Sequence, residues 1–118
     1  MFILNKKDIV AFNKEFSDGN FINERSLDFA IDAIKYKDRW IKSLAFLTRA
    51  IVLDHVFQDG NKRTAALVIK FCVEYYGYKI DNQDLYRLLL NIAKRRLSSI
   101  EPMERRLEYV IRKDRDKE

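Results

Sequence analysis

The run RWIKSLAFLTRAIVLDHVFQDGNKRTAALVIKFCVEYYG, residues 39–77, sets the helical reading of the whole chain. In its first part Trp40, Leu44, Leu47, Ile51 and Val52 recur at helical spacing. Ala45, Phe46 and Ala50 widen that stripe, as a central helix packed on several sides requires. This pattern runs towards His55. A second helix is expected from about Asn61, carrying Ala65, Leu67, Val68, Phe71, Cys72 and Tyr75. Gly77 then stands where helices take a left-handed C-terminal stop.

Towards the N-terminus, Asn5 or one of its neighbours can start a first helix with Ile9, Val10, Phe12 and Phe16 as its buried stripe. The cluster Ser17-Asp18-Gly19-Asn20 ends it. Asn23 is the expected cap of the next helix, which buries Leu27, Ala30, Ile31 and Ile34. Tyr36-Lys37-Asp38 marks a short break, with Asp38 as a cap for the central helix. On the other side, Asn82 is the expected cap of a segment with Leu85, Leu88, Leu89, Ile92, Ala93 and Leu97. After Ser98-Ser99, Pro102 suits an early helical position, and Met103, Leu107, Val110 and Ile111 form the last stripe. The expectation is an all-α chain: five or six helices in one domain, residues 1–118, with at most a very short hairpin at 36–38.

Composition agrees. The chain has 118 residues, 47 % of them hydrophobic and 35 % charged, with three glycines and one proline. Such a chain can bury a core, and the scarcity of breakers favours helices over disorder. Its formal charge of +5 suits an acidic partner, a nucleotide or a nucleic acid. However, Glu101, Glu104 and Glu108 interrupt the basic groups Lys94-Arg95-Arg96 and Arg105-Arg106, and no recognition-helix pattern stands out. This argues against nucleic acid as the partner. A non-enzymatic nucleotide- or nucleic-acid-binding module remains the alternative class.

Cys72 is the only cysteine, which excludes an internal disulfide and a thiolate metal cluster. Its apolar neighbours predict a buried, inert thiol. The opening Met1-Phe2-Ile3-Leu4 is broken at once by Asn5-Lys6-Lys7-Asp8 and lacks the shape of a signal peptide. No apolar segment is long enough for a bilayer, so the expectation is a cytoplasmic protein without a membrane partner.

The chemistry concentrates in His55-Val56-Phe57-Gln58-Asp59-Gly60-Asn61-Lys62-Arg63-Thr64. If one helix ends near His55 and the next starts at Asn61, the loop offers N–H groups at an electropositive helix start. Gly60 allows close approach of a phosphate. Arg63 can fork onto phosphate oxygens and Lys62 adds a point charge. Asp59 would repel bare phosphate but suits Mg2+ bridging the phosphates. His55 can take a proton from an incoming hydroxyl. Phe57 is expected to plug the loop into the core. Zinc does not fit a chain with one histidine, and the run lacks the Gly-Lys-Thr/Ser ending of a P-loop.

These residues resemble the Fic/Doc family, whose signature His-x-Phe-x-Asp/Glu-Gly/Ala-Asn-Gly/Lys-Arg is matched throughout from His55 to Arg63. Thr64-Ala65 extends the resemblance towards the death-on-curing (Doc) toxin branch. The resemblance implies an all-helical fold with His55 as general base, Asp59 on Mg2+, and Gly60, Asn61, Lys62 and Arg63 around the phosphates of ATP as co-substrate. AMP-transferring Fic enzymes usually carry glycine where Lys62 stands and a second arginine where Ala66 stands. Doc-like toxins share both departures and place the terminal phosphate beside the acceptor. The resemblance therefore implies phosphorylation of a protein Ser or Thr, with a translation factor such as elongation factor Tu as target. Fic-type AMPylation is the runner-up. Family members pin the target with a flap upstream of the motif; here Tyr36, Lys37 and Asp38 are the candidate flap. With no internal inhibitory Ser/Thr-x-x-x-Glu-Gly/Asn motif, restraint would fall to a separate antitoxin protein or to homo-oligomer assembly.

Overall fold

A computed structural model describes residues 2–35 and 39–116. The elements in order are α1 (Lys6–Asn13), α2 (Glu24–Ile34), α3 (Trp40–Thr48), a π-helical segment (Arg49–Leu53), α4 (Asn61–Tyr75), α5 (Asn82–Arg95) and α6 (Ile100–Asp116). Among the described residues the only β-pairing is an isolated antiparallel bridge between Phe21 and Phe57. The fold is all-α.

The centre is α3 with its π continuation. Leu44, Ala45, Leu47, Ala50 and Ile51 are buried, and α2, α4 and α6 pack around α3. α5 joins them against the π segment, while α1 lies on α4. One cluster of buried apolar side chains joins all six helices, from Ile9 of α1 to Ile111 of α6. The stripes expected in α2, α5 and α6 supply it through Leu27, Leu89, Ile92, Met103 and Leu107.

Local signals account for several boundaries. Asn5 Oδ1 accepts from the Asp8 N–H, and Asp8 Oδ2 accepts from the Asn5 N–H, both at 2.9 Å. This reciprocal cap satisfies two donors that the first turn leaves without helical acceptors. At the end of α4, Gly77 takes φ +84°. The Tyr78 N–H then reaches back to the Val73 carbonyl at 2.9 Å and the Gly77 N–H to that of Glu74 at 3.1 Å, which closes the helix as a left-handed glycine stop does.

Other expectations need correction. Asn23 sits at the N-cap of α2 but makes no side-chain cap; its Nδ2 donates to the Asp54 carbonyl. The cap of α5 is Asp81, not Asn82; its Oδ1 accepts from the N–H groups of Gln83 and Asp84 at 2.8 and 3.1 Å. A carboxylate there also favours the positive end of the helix dipole. α1 stops at Asn13, before the Ser17–Asn20 cluster, and Phe16 lies beyond it, 38 % exposed. Phe71 and Tyr75 face outward from α4. The expected break, flap and cap at Tyr36, Lys37 and Asp38 lie outside the described residues; the N-cap position of α3 is Arg39.

The run from Trp40 towards His55 is helical as expected, but not α-helical to its end. Over Arg49–Leu53 the bonding widens, and the Asp54 N–H closes on the Arg49 carbonyl five residues back, at 3.3 Å. Such wide turns inside helices often sit beside functional groups. Here the wide turn delivers the chain to His55.

Candidate active site

His55 has φ +52°, a left-handed conformation that residues with a Cβ adopt rarely. Neighbouring bonds hold it there. Before it, the Ser26 hydroxyl donates to Asp54 Oδ2, and Asn23 Nδ2 donates to the Asp54 carbonyl at 3.0 Å. After it, the Val56 carbonyl accepts from the N–H groups of Ile22 and Asn23 at 2.9 and 3.0 Å, and the Gln58 N–H donates to the Asn20 carbonyl at 3.0 Å. The α1–α2 connection thus grips the chain on both sides of an exposed imidazole. Strain at one residue persists where the surroundings over-determine it.

Phe57 is the plug that the sequence implies: 1 % exposed, with its ring stacked on Phe21 at 5.3 Å between centroids. Val56 and Phe57 turn into the core, while His55, Gln58 and Asp59 stay at the surface.

The second half of the loop is tied by side chains. Asn61 Oδ1 accepts from the Phe57 N–H at 3.0 Å, and its Nδ2 donates to the Phe57 carbonyl at 2.8 Å. Asn61 therefore clasps the loop that precedes it. Gly60, at φ +74°, is the N-cap residue of α4. Its carbonyl accepts from the Thr64 hydroxyl at 2.8 Å. Asn13, fully buried, donates to the Asp59 carbonyl at 2.8 Å and to Thr64 Oγ1 at 3.0 Å, and accepts from the Gly19 N–H at 2.9 Å.

These ties leave an open cleft of about 470 Å³ lined by Phe16, Val52, His55, Gln58, Asp59, Gly60, Asn61, Lys62, Arg63 and Tyr86. Six residues singled out in the sequence meet in it: His55, Asp59, Gly60, Asn61, Lys62 and Arg63. Phe57 lies beneath, in the core. The N-terminus of α4, whose first N–H groups lack helical acceptors, borders the cleft. Lys62 and Arg63 are exposed cations, and the Arg63 guanidinium lies 5.8 Å from the centre of the Phe16 ring. The arrangement can bind a polyanion beside a proton acceptor.

The Asp59 carboxylate makes no ion pair or hydrogen bond among the described residues. No group of three or more His, Cys, Asp or Glu side chains among them could cage a metal ion. The donor set is thus one carboxylate in a cleft that also holds Lys62, Arg63 and the start of α4. It fits Mg2+ carried by a nucleotide, an ion commonly held by one or two carboxylates together with substrate phosphates.

Phe16, Val52, Gln58 and Tyr86 were not singled out in the sequence as lining residues. Tyr86 left a trace there: it is an aromatic at a position of α5 outside the Leu85, Leu88, Leu89 and Ile92 stripe. Asn13 left none: in the sequence it falls inside a first helix expected to run to the Ser17–Asn20 cluster. No family model matches the chain, and neither a curated protein nor a solved structure gives a match.

Proposed function

We propose that this chain is a Doc-like toxin that transfers the terminal phosphate of ATP to a Ser or Thr hydroxyl of a protein. The observation that carries the reading is the meeting of His55, Asp59, Gly60, Lys62 and Arg63 in one cleft at the start of α4. That is the equipment phosphoryl transfer needs, since positioning and charge stabilisation do most of its work. The resemblance to the Fic/Doc signature supplies the direction of transfer, with Lys62 in place of glycine favouring the terminal phosphate.

In this reading Arg63, Lys62 and the N–H groups at the start of α4 hold the phosphate oxygens. Asp59 would hold Mg2+, which supplies neutralisation of phosphate charge when bound. A nitrogen of His55 accepts the proton of the acceptor hydroxyl as its oxygen bonds to the terminal phosphorus. The bond from that phosphorus to the bridging oxygen breaks, and ADP leaves with the electron pair. The left-handed backbone at His55 fixes the base relative to the phosphate site, which is where effective concentration comes from. The same resemblance makes a separate antitoxin the expected restraint.

The test is intact-mass measurement of elongation factor Tu incubated with the chain, ATP and Mg2+, beside a His55→Ala control. A His55-dependent gain of one phosphate is expected. A gain of one AMP would replace this reading by AMPylation, and an unchanged mass would remove this target.

A further inference from the structure

We infer that the groove between α5 and α6 binds single-stranded RNA, with phosphates on Arg87, Lys94, Arg95 and Arg106 and a base on Tyr109. This stands apart from the transfer reading. It also revises the expectation, drawn from the order of charges along the chain, that acids break up the basic groups.

Glu101, Glu104 and Glu108 recur at spacings of three and four, so they form one row along α6. Ion pairs turn that row towards Arg39, at the N-cap position of α3. Glu104, buried, lies 2.9 Å from the Arg39 guanidinium; Glu108 lies 3.3 Å from the same group and 3.2 Å from that of Arg112. Two of the three acids are thus spent on other cations. A different row of α6, with Arg106, Tyr109 and Val110, meets Arg87, Leu88 and Asn91 of α5 in a groove of about 290 Å³. Arg95 stands one turn beyond Asn91 on the same face of α5, with Lys94 next to it, and both are exposed. Arg49 reaches the α5–α6 turn, where its guanidinium donates to the Ser98 carbonyl at 3.4 Å. Lys94, Arg95, Arg96 and Arg106 make no ion pair among the described residues. The carboxylate that lines the groove, Asp84, pairs with Arg87 at 3.4 Å.

The charge of this face calls for a polyanion. Arginine supplies most of it, and a guanidinium forks onto phosphate oxygens. An acidic peptide would answer the charge but leave Tyr109 without a use. That ring is 68 % exposed and has no ring or cation partner among the described residues. An aromatic ring set among cations is how single strands are held, with a base on the ring and the backbone on the charges. The Asn91 amide both donates and accepts, which suits it to a ribose hydroxyl and favours RNA over DNA.

Fluorescence anisotropy of the full chain with a labelled uridine oligomer of about twelve nucleotides tests this. With four phosphate contacts, the logarithm of the binding constant should fall against the logarithm of salt with a slope of about −3. Tyr109→Ala should weaken binding about tenfold, the low end of base–aromatic stacking, and Tyr109→Phe should keep it. Arg95→Glu should cost about tenfold or more, while Lys7→Glu, the same change of charge on α1, should stay within about twofold. Both Arg95 and Lys7 are exposed, so neither change disturbs the core. The inference is overturned if the oligomer does not bind, or if Lys7→Glu costs as much as Arg95→Glu, which would leave only diffuse charge. Equal affinity for the matching DNA oligomer would overturn the choice of RNA, and tighter binding of polyglutamate would assign the face to an acidic protein segment. Loss of the RNA on Arg63→Ala, with Arg95→Glu silent, would move it to the motif cleft and overturn the inference as well.

Discussion

Asn13, the last residue of α1, donates through Nδ2 to the carbonyl oxygen of Asp59, 2.8 Å away and 46 residues later in the chain. The same amide reaches Thr64 Oγ1 and accepts from the Gly19 N–H. One buried side chain therefore sets the spacing between the end of α1, the acidic position of the loop and the first turn of α4. The Asp59 carbonyl is held, while its carboxylate remains open to the cleft.

Asn13→Ala should destabilise by roughly 2–4 kcal/mol, from three lost hydrogen bonds and the partners left buried without them. Urea unfolding at constant m would read this as a lowered midpoint. The proposed phosphate transfer should fall further than the unfolded fraction explains, because the loop loses its anchor.

The Phe57 plug should be the costliest position of the motif for folding. Phe57→Ala is expected to lose about 3–5 kcal/mol, as for other fully buried aromatics. A double-mutant cycle with Phe21→Ala should give a coupling of about 0.5–1.5 kcal/mol for the stacked pair. A coupling near zero would mean that the α1–α2 connection is held by its backbone bonds alone.

At His55 stability and activity should move in opposite directions. His55→Gly relieves the left-handed backbone and should change unfolding free energy by less than about 1 kcal/mol, in the stabilising direction. The proposed transfer to protein should be abolished. A clear loss of stability would instead show that the imidazole contributes packing.

Burial pushes the Cys72 thiol from its ordinary value of 9.0 up to about 12. The folded chain keeps its proton where the unfolded chain has lost it. Cys72 therefore contributes stability that is whole below pH 9 and is lost as pH rises from 9 towards 12. At pH 8 a thiol reagent should modify the native protein far more slowly than the urea-unfolded chain, because Cys72 is fully buried. Equal rates would place the sulfur at the surface.

The helices were legible because their stripes are local. Leu85, Leu88, Leu89 and Ile92 recur every three or four residues, and Asn5 stands three residues before its capping partner Asp8. Gly77 was legible as a stop for the same reason. The shift from Asn82 to Asp81 as the cap of α5 was not, since both residue types cap well and adjacent positions differ only in final geometry. The wide turn at Arg49–Leu53 was equally hidden: Ile51, Val52 and Leu53 are apolar in either helix type. In the fold, α2, α4 and α5 pack around that turn.

Within the site, the order of residues alone establishes which chemical groups crowd into ten positions and that a helix begins at Asn61, since both depend only on near neighbours. Packing between helices selects which of those groups are consumed in holding the loop. Asn61 turns back on Phe57, and the carbonyls of Asp59 and Gly60 are tied to Asn13 and Thr64, while the side chains of His55, Asp59, Lys62 and Arg63 stay at the surface of the cleft. The same packing brings in Phe16 from beyond α1 and Tyr86 from α5. A buried amide takes whatever partner the packed helices set against it, and that choice is made across the core rather than along the chain.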